Sequence, residues 1–154
     1  GFILFVILFL VLFPFFLIPV AFPRHHQLVG VLNRWWAYIF FPLIALPFRR
    51  IYAQPLDSSR QYIFTPNHFS YFDIAAMGLN RHNTIFVGKN DMEKIPLFGF
   101  MYRKLHITVD RGNLKSRYTT IKRSMQAIDE GKSLVIFPEG GIVTQREPVL
   151  GRFK

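Results

Sequence analysis

The chain has 154 residues, room for one domain and an anchor. Its 51% hydrophobic content and mean hydropathy of +0.23 are high for a wholly soluble domain, and 19 Lys and Arg against 9 Asp and Glu give a formal charge of +10. Cysteine is absent, which excludes disulfides, cysteine-ligated zinc and thiol catalysis.

No acid precedes Asp57, whereas Arg24, Arg34, Arg49 and Arg50 do. Beside apolar segments, this bias points to anionic lipid headgroups rather than nucleic acid, with a phosphorylated substrate as a third partner for a basic face. The sequence opens on Gly1 and stops at Gly151-Arg152-Phe153-Lys154 with no terminating signal. It is read as an incomplete chain whose last domain continues.

Phe2 to Phe22 carries no charged or strongly polar side chain. As a helix it would cross roughly 30 Å, about the hydrocarbon thickness of a bilayer. Pro14 and Pro19 are expected to kink it or end it early. A signal peptide is the competing reading, set aside because the stretch is long and lacks a small-x-small cleavage site. Trp35 to Phe48 is a second apolar run, broken by Pro42 and Pro47 and flanked by Arg34 and Arg49-Arg50. It is too short for an upright span and is expected as an interfacial or re-entrant helix, with Trp35, Trp36 and Tyr38 at headgroup depth. A core helix of the following domain is the alternative. Residues 1–50 thus form the membrane anchor and 51–154 the globular domain.

Within that domain, Tyr62–Thr65 reads as a strand, Phe72–Leu79 as a short helix and Thr84–Val87 as a strand. Asp91–Leu105 reads as a helix made irregular by Pro96 and Gly99, and Ile107–Val109 as a short strand. Leu114–Asp129 is the clearest helix: Leu114, Tyr118, Ile121, Met125 and Ile128 fall on one face, Asn113 is an N-cap and Gly131 a C-terminal stop. Ser133–Phe137 is an apolar strand. Strands alternating with helices predict an α/β fold with a largely parallel sheet.

The chemistry concentrates at Asn67-His68-Phe69-Ser70-Tyr71-Phe72-Asp73. On one continuous helix, positions five apart point about 140° away from each other. If His68 stands in the turn before a helix and Asp73 in its first turn, the carboxylate can fix the imidazole tautomer. The free ring nitrogen can then take a proton from a hydroxyl. Backbone N–H groups at the start of that helix are candidates for stabilising an oxyanion. No metal-ligand spacing is present. A serine hydrolase using Ser70 lacks any Gly-x-Ser-x-Gly elbow. Gly131-Lys132-Ser133 lies between a helix and a strand, the wrong order for a P-loop, and Gln126 stands where that motif needs glycine.

Three later blocks follow in order: Lys94-Ile95-Pro96-Leu97-Phe98-Gly99, Val109-Asp110-Arg111, and Phe137-Pro138-Glu139-Gly140. From Tyr62 to Gly140 this arrangement resembles the glycerophospholipid acyltransferase family, in particular the 1-acylglycerol-3-phosphate acyltransferases. The resemblance implies a mostly parallel sheet flanked by helices, preceded by N-terminal membrane helices. It implies His68 as general base, Asp73 as its support, Arg111 as a holder of the acceptor phosphate, and Glu139 and Gly140 as lining of the acceptor site. It also places Lys94 among the substrate-binding residues. The implied donor is acyl-CoA or acyl-carrier protein, with no separate cofactor and no covalent enzyme intermediate. The implied acceptor is a lysophospholipid, and the implied place is the cytoplasmic face of an inner or plasma membrane. One departure stands out: the family follows Phe-Pro-Glu-Gly with Thr and a basic or small polar residue, whereas here the run is Gly141-Ile142-Val143. Thr144 or Arg146 are the nearest substitutes, and a different lysolipid acceptor is an open alternative. An inactive acyltransferase-like subunit of a larger membrane complex is the non-enzymatic alternative. The family's last block, a hydrophobic-Pro element, is expected past Lys154.

Overall fold

The computed structural model describes residues 1–142. Helix α1 runs Phe2–Ala21, so neither Pro14 nor Pro19 ends it. Each proline removes one backbone donor, and Pro19 is buried within the last turn, where packing holds it. A short turn at Pro23–His25 leads into α2, Gln27–Leu43. The two helices pack antiparallel: Phe5 meets Trp36 and Phe40 at one end, and Phe16 packs with Val29 at the other.

Helix α2 begins eight residues before Trp35, the expected start of the second apolar run. Its buried side chains Ala37, Phe40 and Phe41 pack on Leu79 and Ala75 as well as on α1. Trp35, Ile39 and Leu43 remain exposed. The segment is therefore a core helix on one side and an apolar surface on the other. Arg34 donates to the carbonyls of Asn80 and Arg81 at 3.0 Å each, and Arg50 donates to that of Leu79 at 2.9 Å. Two of the four early arginines thus hold the chain just past the next helix by bonding backbone carbonyls of the loop that follows it.

The globular part alternates strands β1 Ile63–Phe64, β2 Thr84–Lys89, β3 Ile107–Val109 and β4 Ser133–Ile136 with helices α3 Tyr71–Met77, α4 Phe98–Leu105 and α5 Leu114–Asp129. The strands form one parallel sheet in the order β1-β4-β2-β3. One sheet face, with Ile85, Ile107 and Leu134, packs on Ala127 of α5. The other, with Phe86 and Val135, packs on Ile74 and Met77 of α3 and Tyr102 of α4. The α1–α2 hairpin lies outside α3 and α4, so α5 stands on the opposite side of the sheet.

Three expectations change. The helix expected over Asp91–Leu105 breaks into a 3₁₀ turn at Asn90–Lys94 and the α4 helix. Pro96 biases Ile95 toward extended backbone, and Leu97 sits at φ 60°. β1 is two residues long, although Tyr62 still accepts from Leu134 N–H at 2.9 Å. Four of the five residues of the α5 stripe turn away from the sheet: Leu114, Tyr118, Ile121 and Met125 are exposed, whereas Ile128 packs beside Ala127 on the sheet cluster and Thr120 is buried. Small side chains let the helix approach the strands closely, and Thr120 Oγ1 donates to the Ser116 carbonyl at 2.9 Å. The ends of α5 are as read. Asn113 accepts from Ser116 N–H, and Gly131 at φ +82° lets Lys132 N–H reach the Ala127 carbonyl in a Schellman motif.

Candidate active site

All four blocks follow the C-terminal ends of strands: His68 after β1, Lys94 after β2, Arg111 after β3 and Glu139 after β4. This edge is where parallel α/β sheets place their ligands. A groove of about 630 Å³ lined by Tyr52, Arg60, Arg81 and His82 opens at the other edge, beside the strand starts.

Ser70 is the N-cap of α3, its Oγ accepting from Phe72 N–H at 2.9 Å. Asp73 sits one turn in and reaches back. Its Oδ2 accepts from Phe69 N–H at 2.6 Å and Ser70 N–H at 2.7 Å, closing a capping box. The same oxygen lies 3.3 Å from His68 Nδ1. An ionised carboxylate only accepts, so Nδ1 carries the proton and Nε2 is left with a lone pair. This is the turn-then-helix geometry that the five-residue spacing requires. Ser70, the nucleophile of the hydrolase reading, is occupied as a cap. The N–H groups of Phe69, Ser70 and Phe72 are engaged locally, which leaves that of Tyr71, at the first position of α3, without a hydrogen-bond partner among the described residues.

Phe137-Pro138-Glu139-Gly140 is a β-turn, closed by Gly140 N–H to the Phe137 carbonyl at 3.1 Å. Proline at its second position presets φ, and Gly140 takes φ +75°, open to glycine at little cost. The turn brings two groups to His68. The Phe137 ring stacks on the imidazole at 4.1 Å, a contact that sequence reasoning missed although Phe137 opens the motif. Glu139, 3% exposed, accepts from His68 N–H through Oε1 at 3.3 Å. Its Oε2 is buried with no partner among the described residues.

Arg111 belongs to the turn after β3, in which Asp110 accepts from Gly112 N–H and Asn113 N–H returns to the Asp110 carbonyl. Its guanidinium donates to the Gly140 carbonyl rather than pairing with Asp110. That bond joins the loops after β3 and β4 and leaves other N–H donors of the fork for an anion. Lys94 makes its polar contact within its own loop rather than with a residue of the other blocks. Its ammonium pairs with Asp91 at 3.2 Å, and Lys89 pairs with the same carboxylate, which holds the Asp91 pKa below its ordinary value. Gly141 and Ile142 follow the turn, while Val143, Thr144 and Arg146 lie outside the described residues. Among the described residues no group of three or more His, Asp or Glu is placed to hold a metal ion.

Among known proteins, the chain is 29% identical over 115 residues to a 1-acyl-sn-glycerol-3-phosphate acyltransferase of Haemophilus influenzae, covering 73% of this chain and 48% of that one. It is 27% identical over 110 residues to a lyso-ornithine lipid O-acyltransferase of Rhizobium meliloti, covering 71% and 37%. A chloroplastic 1-acyl-sn-glycerol-3-phosphate acyltransferase of Arabidopsis thaliana is 26% identical over 113 residues, covering 70% and 31%. The chain thus spans less than half the length of these relatives. No solved structure matches it. A model of the Acyltransferase family matches residues 49–154, the stretch that holds His68, Asp73, Arg111 and Glu139, and the chain belongs to that family.

Proposed function

We propose that the protein transfers an acyl group from a thioester, acyl-CoA or acyl-carrier protein, to the hydroxyl of a lysophospholipid, with 1-acylglycerol 3-phosphate as the first candidate. The observation that carries this reading is the contact of Asp73 with His68 Nδ1, which leaves Nε2 as a base. His68 takes the hydroxyl proton as the oxygen attacks the thioester carbonyl. The tetrahedral intermediate then expels the thiolate, which recovers the proton from His68. Arg111 binds the acceptor phosphate beside the Gly140 carbonyl, and the free Glu139 oxygen accepts from a polar group of the acceptor.

The acceptor headgroup is the open choice. The relatives' names include one glycerol-phosphate and one ornithine lipid acceptor, and Gly141-Ile142 replaces the polar residues usual after the turn. Membrane attachment is supported by α1, which is long and apolar enough to cross a bilayer. Its packing along α2 and α4 fits a helix lying against the membrane with the domain. The excess of arginine before Asp57 supports the cytoplasmic face.

The test is acyl transfer by the purified protein to a panel of lysolipids, with acyl-CoA and acyl-carrier protein as donors. His68→Ala should lower the rate by about 10²–10⁴. Undiminished transfer by that variant would sink the mechanism, and no transfer to any lysolipid would support the inactive-subunit reading.

A further inference from the structure

The end of the loop between β2 and α4 and the first turn of α4 carry three apolar side chains outward. Ile95 is 46% exposed, Leu97 49% and Phe100 44%. Single exposed apolar residues are ordinary on any surface, but three at one rigid turn are not scatter. Leu97 takes φ 60° and ψ −53°, and Phe98 N–H reaches the Pro96 carbonyl at 2.6 Å across it, a γ-turn of the rare positive-φ kind. For a γ-branched residue that backbone is strained, so the surroundings must hold it. They do: Gly99 N–H bonds the Ile95 carbonyl at 2.7 Å, and the Gly99 Cα lies so close to Glu93 that a Cβ would stand 2.1 Å from the Glu93 carbonyl oxygen. The turn is a fixed knuckle.

Its position completes the case. Phe98 packs on Phe9 of α1 at 5.7 Å, and Met101 packs with Phe16 and Val29. The knuckle therefore adjoins α1, whose Ile7, Leu10, Val11 and Phe15 are exposed. It also follows β2 at the sheet edge that carries His68. At the far end of α4, Arg103 and Lys104 are exposed and have no carboxylate partner among the described residues. Along the helix axis they lie roughly 9 Å from Leu97, close to the depth to which interfacial helices bury their apolar side.

We propose that Ile95, Leu97 and Phe100 form a second membrane contact, inserted into the acyl region of one leaflet beside the catalytic edge, with Arg103 and Lys104 at its anionic headgroups. The proposal rests on the reading that α1 attaches the chain to a membrane. Insertion here draws the rim around His68 down to the plane where a lysolipid presents its hydroxyl.

The chain has no cysteine, so single cysteines report cleanly. Leu97→Cys, Val11→Cys on α1 and Met125→Cys on the outer face of α5 are each labelled with an environment-sensitive fluorophore. The full chain is then reconstituted in phosphatidylcholine–phosphatidylglycerol vesicles with acyl-chain-brominated lipid. Quenching at positions 97 and 11 but not at 125 is the expected result. Lipid quenching at 11 with a water-like signal at 97 overturns the knuckle and leaves attachment by α1 intact. A water-like signal at both overturns the attachment and the knuckle together. A position 97 shielded from aqueous quencher but untouched by brominated lipid assigns the surface to protein contact and overturns the proposal. Independently, Ile95→Gln with Leu97→Gln should lower transfer to vesicle-embedded acceptor about tenfold while sparing a dispersed short-chain acceptor. Equal losses on both would mark a structural role and refute the proposal.

Discussion

One oxygen organises the site. Asp73 Oδ2 gathers two backbone N–H groups and the imidazole, so the start of α3 and the tautomer of His68 are set by the same atom. Arg111 has a comparable double duty at the Gly140 carbonyl and the proposed phosphate. Arg111→Ala should raise the Michaelis constant for a phosphate-bearing acceptor about tenfold, the order of one charge-assisted hydrogen bond. The constant for the acyl donor should stay unchanged, and steady-state kinetics with each substrate varied checks this. A second histidine matters for stability alone. His106 is buried, its Nδ1 accepts from Phe86 N–H at 3.2 Å, and burial pushes its pKa down to about 4. Folding therefore favours the neutral ring. Its contribution is complete above about pH 6.5 and is lost as pH falls from there toward 4, by roughly 3 kcal/mol in all. Thermal melts from pH 7 to pH 4.5 should show that loss, and His106→Gln should flatten it. The contact of Asp73 with His68 was legible in the sequence, because a five-residue spacing lets the two meet only where a turn gives way to a helix. The consumption of the Phe69 and Ser70 N–H groups was not, because it depends on where the Asp73 carboxylate turns.

At the scale of elements, local signals located helices and strands, while their faces and interruptions depended on neighbours. The periodicity of α5 named its limits correctly, yet most of its apolar stripe faces out, and Thr120, Ala127 and Ile128 face the sheet. Which face is covered is a property of what packs on it. Likewise Pro96 and Gly99 announced irregularity but not the reversal at Leu97. Lys94 fell within a motif, yet it is held by a carboxylate three residues earlier. The turn gives a sharp stability prediction. Gly99→Ala places a methyl group against the backbone of Glu93, which cannot swing aside as a side chain could. It should cost about 3 kcal/mol, visible as a lowered melting temperature in detergent. An unchanged melt would show that the turn is looser than drawn.

At the scale of the molecule, the apolar start of the chain packs as part of the domain. Phe9, Leu12 and Phe13 pack against the cluster of Phe16, Val29 and Met101, and Phe5 and Leu8 pack against that of Ala37, Phe40 and Phe41. Removing residues 1–21 should not release a stable soluble domain. It uncovers Val29, Met101 and their neighbours at a cost on the order of 5 kcal/mol. A thermal melt in detergent should show a lowered or absent transition, and an unaltered one would mean that the helix is a passive tether. The packing of α1 on α4 also bears on how the protein is made. Phe9 and Phe98 touch although 89 positions separate them (98 less 9). At roughly 5–20 residues per second of synthesis, α1 leaves the ribosome on the order of ten seconds before its partner exists. During that interval α1 lacks the partner it packs on in the finished domain, so its apolar face must be sheltered by something else until α4 is made.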